Sequence, residues 1–407
     1  MDLGTESIEN AYTGLYNDYQ ITPENTKGPK ICDLMAAVSR EIRREMMMQS
    51  GTQAQIPKGE FRKKLTALVL PITFQQFMLA IVSASDALMC GAISQDQLSA
   101  VSLATQVTFV YNLFLAAMTI GTSIFAAQYW GKGDKTAIEK ILAIVLNTSM
   151  AVSFAFFAAA LLIPGLLMRI FTSDPQLISF GVDYLRIVSV TYLICGFSQI
   201  YLCIMKNSNL AAKTMHISCA AAVLNIFLNA VLIYGLFGFP RMEAAGAAAA
   251  TAIARLAELL WIICELSKKD RIKVRPAYMR HPDKSLQKDF WHYTLPVLGN
   301  ELVWGGGFTM YSVIMGHLGT DAVAANSIAN IAKNIIASLA LGIGNGGSIM
   351  VGNELGAGNL ERARVMGRKL CRISILSGVG SGIFLLLLRP LIMMLTDLSP
   401  QARDYLW

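Results

Sequence analysis

An all-α membrane protein of two pseudo-symmetric helical bundles is the fold class this sequence predicts, and three observations predict it. Of 407 residues, 54% are hydrophobic and only 15% charged, with mean hydropathy +0.48. A soluble domain carries about 25% charged residues, so this is a membrane composition. Several runs of roughly 20 apolar residues are each long enough to cross a bilayer. The third observation is an internal repeat without a gap. Leu70-Pro71 recur 225 residues later as Leu295-Pro296, Gly91 as Gly316 and Asp96 as Asp321. Ala100, Ser102 and Ala104 recur as Ala325, Ser327 and Ala329, and Gly121, Ser123 and Ile124 as Gly346, Ser348 and Ile349. Gly131 and Gly133 recur as Gly356 and Gly358. That many identities at one offset mark a duplication. A membrane protein built from two like halves is most often a transporter, with its site between them.

The elements follow in order. Residues 1–60 contain no span. Within 31–48, Ile31, Leu34, Met35, Val38, Ile42 and Met46 recur at helical spacing with Arg40, Arg43 and Arg44 mostly opposite. The pattern fits an amphipathic helix on the membrane surface, or a solvated tail. Nine spans are predicted at about 65–92, 104–128, 138–163, 181–204, 213–238, 245–267, 290–316, 326–352 and 370–395. They group as a first six-span bundle over 61–267, a basic linker over 268–289, and a second bundle over 290–407.

Basic residues alternate between the loops. Arg62, Lys63 and Lys64 precede the first span, and Lys132, Lys135 and Lys140 follow the second. Lys206 and Lys213 join the fourth to the fifth, the linker carries eight Lys and Arg, and Arg362, Arg364, Arg368, Lys369 and Arg372 follow the eighth. The intervening loops hold at most one Arg each. The positive-inside rule then places the N-terminus and the linker in the cytoplasm, and a net charge of +7 needs no nucleic acid to explain it. Six spans separate the starts of the two repeats, so both halves run the same way about an axis along the membrane normal. Pro175-Gln176 before the fourth span return as Pro400-Gln401. The second half therefore shows three of an expected six spans, and the spacing reads as a chain that stops short.

Enzyme chemistry has no support. No Ser-His-Asp arrangement, HExxH or P-loop occurs, and His216, His281, His292 and His317 lack metal spacing. Seven cysteines without CxxC spacing read as reduced core residues. Gly342, Gly344, Gly346 and Gly347 sit in no βαβ pattern and read as sites of close helix packing.

The candidate site residues are polar groups inside spans. Asp86 costs about 2.5–3.5 kcal/mol on insertion scales, which demands a compensating role. It can take a proton, or complete an oxygen shell around sodium with nearby amides and hydroxyls. The alternative is a carboxylate that reaches water near the outer end of its span. Glu301 is the second candidate for ion coupling. It stands beside Asn300, and the repeat pairs these two with Gln75 and Gln76. Asn225 and Asn229, four apart, face one way, toward an ion or a helix interface. Lys333 inside the eighth span can pair with Glu301, alternate with a cationic substrate, or snorkel. Arg255 and Glu258, three apart, are expected to pair with each other or a neighbour. Asp86 and Glu301 are thus the expected coupling sites, and Gln75, Gln76, Asn300, Asn225, Asn229 and Lys333 the expected cavity lining.

Asn225-Ile226-Phe227-Leu228-Asn229, followed by Gly238-Phe239-Pro240 and Ala245-Gly246-Ala247-Ala248, resembles the fifth and sixth helices of the MATE family, the multidrug and toxic compound extrusion antiporters. Ser85-Asp86-Ala87-Leu88-Met89-Cys90-Gly91 is similar to the Asp-Thr-x-x-x-Gly element of that family's first helix. Gly352-Asn353-Glu354-Leu355-Gly356-Ala357-Gly358 resembles the glycine loop after its eighth. The resemblance covers about 61–407. It implies twelve helices in two bundles that expel organic cations against sodium or proton entry across a bacterial-type cell membrane, without other cofactors. It also puts the family's ion-linked aspartate at Asp86 and, more loosely, an acidic residue near Glu301. The rival expectations are a lipid-linked precursor flippase of a related superfamily and an inactive shortened membrane protein.

Overall fold

The computed structural model describes residues 58–91, 95–317 and 320–395; the expected 31–48 helix and Pro400-Gln401 lie outside them. The described residues form α1 (Lys58–Gly91), α2 (Gln95–Lys132), α3 (Lys135–Leu162), the short α4 (Pro164–Arg169), α5 (Pro175–Asn207), α6 (Ala211–Tyr234) and α7 (Glu243–Leu266). After these come the short α8 (Pro276–Arg280), then α9 (Lys284–His317), α10 (Thr320–Gly356) and α11 (Leu360–Leu395). No strand occurs among the described residues. The nine long helices match the nine expected spans. Eight of them are long and apolar enough to cross a membrane. The exception is α9, whose 34 residues include Asn300, Glu301 and Gly305-Gly306-Gly307 and so dilute its apolar run.

The duplication is visible in the element boundaries. α2 and α10 begin at 95 and 320, and α3 and α11 at 135 and 360, each pair one repeat offset apart. Both α2 and α10 end in the same cap. Gly133 at φ 80° and Gly358 at φ 79° turn left-handed, and Asp134 and Asn359 return N–H donors to Tyr129 and Glu354 carbonyls at 3.0 Å. This 6→1 bond satisfies a carbonyl that the helix end would orphan. Asp134 then accepts from Ala137 N at 2.9 Å and starts α3.

The two halves meet through α1 against α10, α9 against α2, and α2 against α10. The α2–α10 crossing is reciprocal. A Cβ added at Gly131 would collide with the Asn353 carbonyl, and one at Gly356 with the Gln128 carbonyl. Gln128 and Asn353 are themselves repeat partners. The flanking contacts mirror each other too. Gly346 lies on Val69, with an added Cβ 2.8 Å from its Cα, and Gly121 lies on the side chain of Thr294, the counterpart of Val69. Small residues here let backbones touch, which is how helices associate where lipid removes the hydrophobic drive. Of the four glycines expected to pack closely, Gly342 and Gly346 do so against Thr73 and Val69, and Gly347 lies against Leu370. A Cβ added at Gly344 would meet nothing within 4 Å, so Gly344 has no packing role among the described residues.

The first bundle is filled by Ile138, Ile141, Leu142 and Val145 of α3 against Tyr192 and Ile200 of α5, all under 4% exposed. Tyr111 of α2 enters this core. Its hydroxyl donates to the Tyr192 carbonyl at 2.9 Å and meets Ser153 Oγ at 3.0 Å, so its polar atom is satisfied inside an apolar layer. On α11, Leu376, Val379 and Leu387 face outward, as lipid-facing or partner-facing positions must.

Ion pairs gather the basic segments at one end of the bundle. Lys64 meets Glu354 at 2.5 Å, Arg362 meets Glu60 at 2.5 Å, Lys140 meets Asp283 at 3.1 Å and Lys213 meets Glu265 at 3.7 Å. The segment between α7 and α9 docks on α3 and α5 there. Arg275 pairs with Glu139, Asn147 Nδ2 donates to the Met279 carbonyl at 2.8 Å, and Tyr201 OH donates to that of Ile272 at 3.1 Å.

Candidate functional site

Helical spacing brings three polar faces together. Gln75 and Asp86 are eleven residues apart on α1, and Ser218, Asn225 and Asn229 share a face of α6. Thr251, Arg255 and Glu258 share a face of α7. At their meeting Asn229 Nδ2 donates to Asp86 Oδ1 at 2.5 Å and reaches Asn225 Oδ1 at 3.2 Å. Asn225 Nδ2 donates in turn to Thr251 Oγ1 at 3.3 Å. Asn225 and Asn229 are buried, and Asn229 Oδ1 has no hydrogen-bond partner among the described residues. A buried amide oxygen without a donor carries a desolvation cost that a cation or a proton donor would remove.

A second chain of bonds runs beside the first. Gln75 Nε2 donates to Ser218 Oγ at 2.8 Å, and Ser218 Oγ donates to Glu258 Oε1 at 3.1 Å. Arg255 Nη1 donates to Glu258 Oε2 at 2.9 Å, which is the expected pair. Glu258 is 1% exposed, so this partner is what makes its charge tolerable. Arg255 also acts electrostatically on Asp86. Two carboxylates and one guanidinium leave the group one formal negative charge. One monovalent cation would balance it.

The other candidates separate. Gln75 is buried in this network, outside the cavity it was expected to line, because Ser218 of α6 lies across from it. Gln76, one residue on and so on another side of α1, lines a cavity of about 350 Å³ between α1 and α10. Ser83 of α1 and Asn330, Asn334 and Ser338 of α10 line it as well. Glu301 is half-buried and Asn300 exposed on α9. Among the described residues no hydrogen bond or ion pair joins Glu301 to Asp86 or to Lys333. Lys333 instead donates to Asn330 Oδ1 at 2.8 Å and stands 5.4 Å from the centre of the Phe308 ring. Thr251 and Ser218 were not singled out from the sequence. Their signal was there, Thr251 one turn before Arg255 and Ser218 two turns before Asn225, but hydroxyls are common in such helices. No group of three His, Cys, Asp or Glu suited to a metal occurs among the described residues.

A helical bundle with a charged, hydrogen-bonded site inside it and a repeat running through it defines a multi-pass transporter-type membrane protein. The MatE family profile matches residues 71–231 and again 296–406, starting at the two repeat-related prolines. The chain belongs to the MatE family. It is 26% identical over 346 residues to the probable multidrug resistance protein NorM of Thermotoga maritima, covering 84% of this chain and 74% of that protein. The multidrug resistance protein MdtK of Pectobacterium atrosepticum is 25% identical over 354 residues, covering 83% and 74%. An outward-facing multidrug resistance MATE transporter of the MOP superfamily matches in structure with TM-score 0.77 at 20% identity, covering 85% of this chain and 77% of that one.

Proposed function

We propose that this chain is a cation-coupled multidrug efflux antiporter of a bacterial-type cell membrane, working by alternating access. The observation that carries the reading is the Asp86–Asn229–Asn225–Thr251 group inside the first bundle. A carboxylate, two amides and a hydroxyl are hard oxygen ligands of the kind sodium takes, and the carboxylate alone suffices for a proton. The relatives' names, multidrug resistance proteins, supply the substrate class.

The cycle follows from charge. Ion entry at Asp86 neutralises the one net negative charge of the buried group and weakens its hold on a cationic compound. Binding of that compound expels the ion by the same linkage, because coupling between two sites is reciprocal. The two halves rock about the α2–α10 crossing, where backbones already touch. The ion-paired basic end is the cytoplasmic one, by the distribution of Lys and Arg.

Ethidium accumulation in drug-sensitive bacteria making the 407-residue chain tests this, with Asp86→Asn beside it. Lower accumulation that the mutant loses supports the scheme. Unchanged export and ion dependence in Asp86→Asn would remove Asp86 from coupling. No export from well-inserted wild-type chain would overturn the efflux reading for this chain.

A further inference from the structure

Three aromatic rings gather where the halves face each other away from the Asp86 group. Phe109 of α2 lies with its ring centre 6.4 Å from Trp304 and 6.1 Å from Phe308, both of α9. Trp304 and Phe308 stack at 5.8 Å with 14° between their planes. The Lys333 ammonium of α10 stands over the Phe308 ring. Lys333 bonds Asn330, one of the residues that line the α1–α10 cavity, so its ammonium stands between that cavity's lining and the Phe308 ring.

Snorkelling does not account for this placement. Lys333 lies about 20 Å along α10 from its first residue and roughly 35 Å from its last. Its ammonium bonds Asn330, back toward the start of the helix and away from the ion-paired basic end. Lys333 is exposed to the surface of the described residues, and its charge lies within the 326–352 span expected from the sequence, where an ionisable side chain carries a cost that function has to justify. Among the described residues it meets one amide oxygen and one ring face. A ring face attracts any cation by its quadrupole, a quaternary or phosphonium centre as readily as an ammonium.

We propose that the Phe109–Trp304–Phe308 cluster is the subsite for the cationic centre of the transported compound, and that Lys333 is its resident competitor, holding the ring face until a substrate displaces it. This rests on the efflux reading and adds a residue that sets affinity. The tethered ammonium weakens cation binding twice, by occupying the ring and by like-charge repulsion. A substrate enters by pushing Lys333 off Phe308, and its return helps the substrate leave. Weak, reversible capture is what an exporter needs from its cavity.

Direct binding of tetraphenylphosphonium to the purified full chain tests the proposal without requiring transport. Lys333→Gln keeps a hydrogen-bonding group without the charge and is expected to tighten binding about two- to fivefold, the range an exposed cation–π contact spans. Lys333→Met, the variant that also drops the hydrogen bond, is expected to do the same, and Lys333→Arg to bind as weakly as the parent. Adding Phe308→Leu to Lys333→Gln is expected to cancel the gain. Binding by Lys333→Gln and Lys333→Met equal to or weaker than the parent's would overturn the competitor role and leave the efflux reading standing. A gain that survives Phe308→Leu would put the cation elsewhere and overturn the subsite. Absence of binding by parent and variants alike would overturn both readings.

Discussion

The two halves share a backbone plan and differ in chemistry. Where they touch, equivalent positions make equivalent contacts: Gly131 on Asn353 and Gly356 on Gln128, Gly346 on Val69 and Gly121 on Thr294. Away from these contacts the repeat partners diverge. Asp86 corresponds to Tyr311, Thr108 to Lys333, and Gln75 and Gln76 to Asn300 and Glu301. In the first half Thr108 meets the Tyr192 hydroxyl at 3.0 Å, a quiet packing bond, while its partner Lys333 carries a charge inside a span. Even the basic end is unequal. Lys64 pairs with Glu354, whereas their counterparts Asp289 and Tyr129 include no cation and form no ion pair. Close backbone contact tolerates only glycine-sized residues, so it preserves symmetry. A side chain away from those contacts meets no such constraint and is free to specialise.

That division can be broken at its strongest point first. Asp86→Ala is expected to lower ion-driven ethidium export by about 10- to 100-fold, the span of a typical coupling energy. Tyr311→Phe at the mirrored position is expected to change it by less than about twofold, measured in the same vesicles. Equal losses would mean that both halves couple.

Symmetry of the crossing comes next. Gly131→Val and Gly356→Val each force a side chain into a neighbouring carbonyl and are expected to cost about 1–3 kcal/mol, read as lowered thermal midpoints of similar size. Gly306→Ala has nothing within 4 Å of the added Cβ and is expected to shift stability by at most about 1 kcal/mol, in the stabilising sense. A harmless Gly131→Val would show that the halves do not seal there.

The ion pairs should matter less. Glu354 is largely buried and also accepts from Asn359 Nδ2 at 3.2 Å, but Lys64 is 40% exposed and screened by solvent. A double-mutant cycle of Lys64→Met with Glu354→Gln is expected to give a coupling of about 1 kcal/mol or less. The smallest effect belongs to the linker. The Lys140 hydrogen bond holds the Asp283 carboxyl below its ordinary value of 3.8. A depressed carboxylate adds stability that is present above the unfolded value and fades as pH falls through the folded one. Docking of the 267–283 segment, followed by limited proteolysis, should therefore loosen only below about pH 4 in the parent. In Asp283→Asn that dependence should shrink to what the Glu139 and Glu265 pairs supply.

The sequence by itself determined the nine long helices seen among the described residues and the repeat, because apolar run length and exact offset are local, countable properties. It also pointed to Asp86, Asn225 and Asn229, since a polar group inside a span stands out against its neighbours. Only the tertiary structure decided which of these meet. Gln75 and Gln76 are adjacent in the chain, yet one is bonded to Ser218 in a helix interface and the other borders a cavity, because 100° of helix rotation separates them. Thr251 and Ser218 joined the site through contacts between α1, α6 and α7 that no single segment encodes. The placement of Lys333 over Phe308 rather than beside Glu301 was likewise decided by how α9 and α10 pack, since a long flexible side chain reaches several partners and only packing selects one.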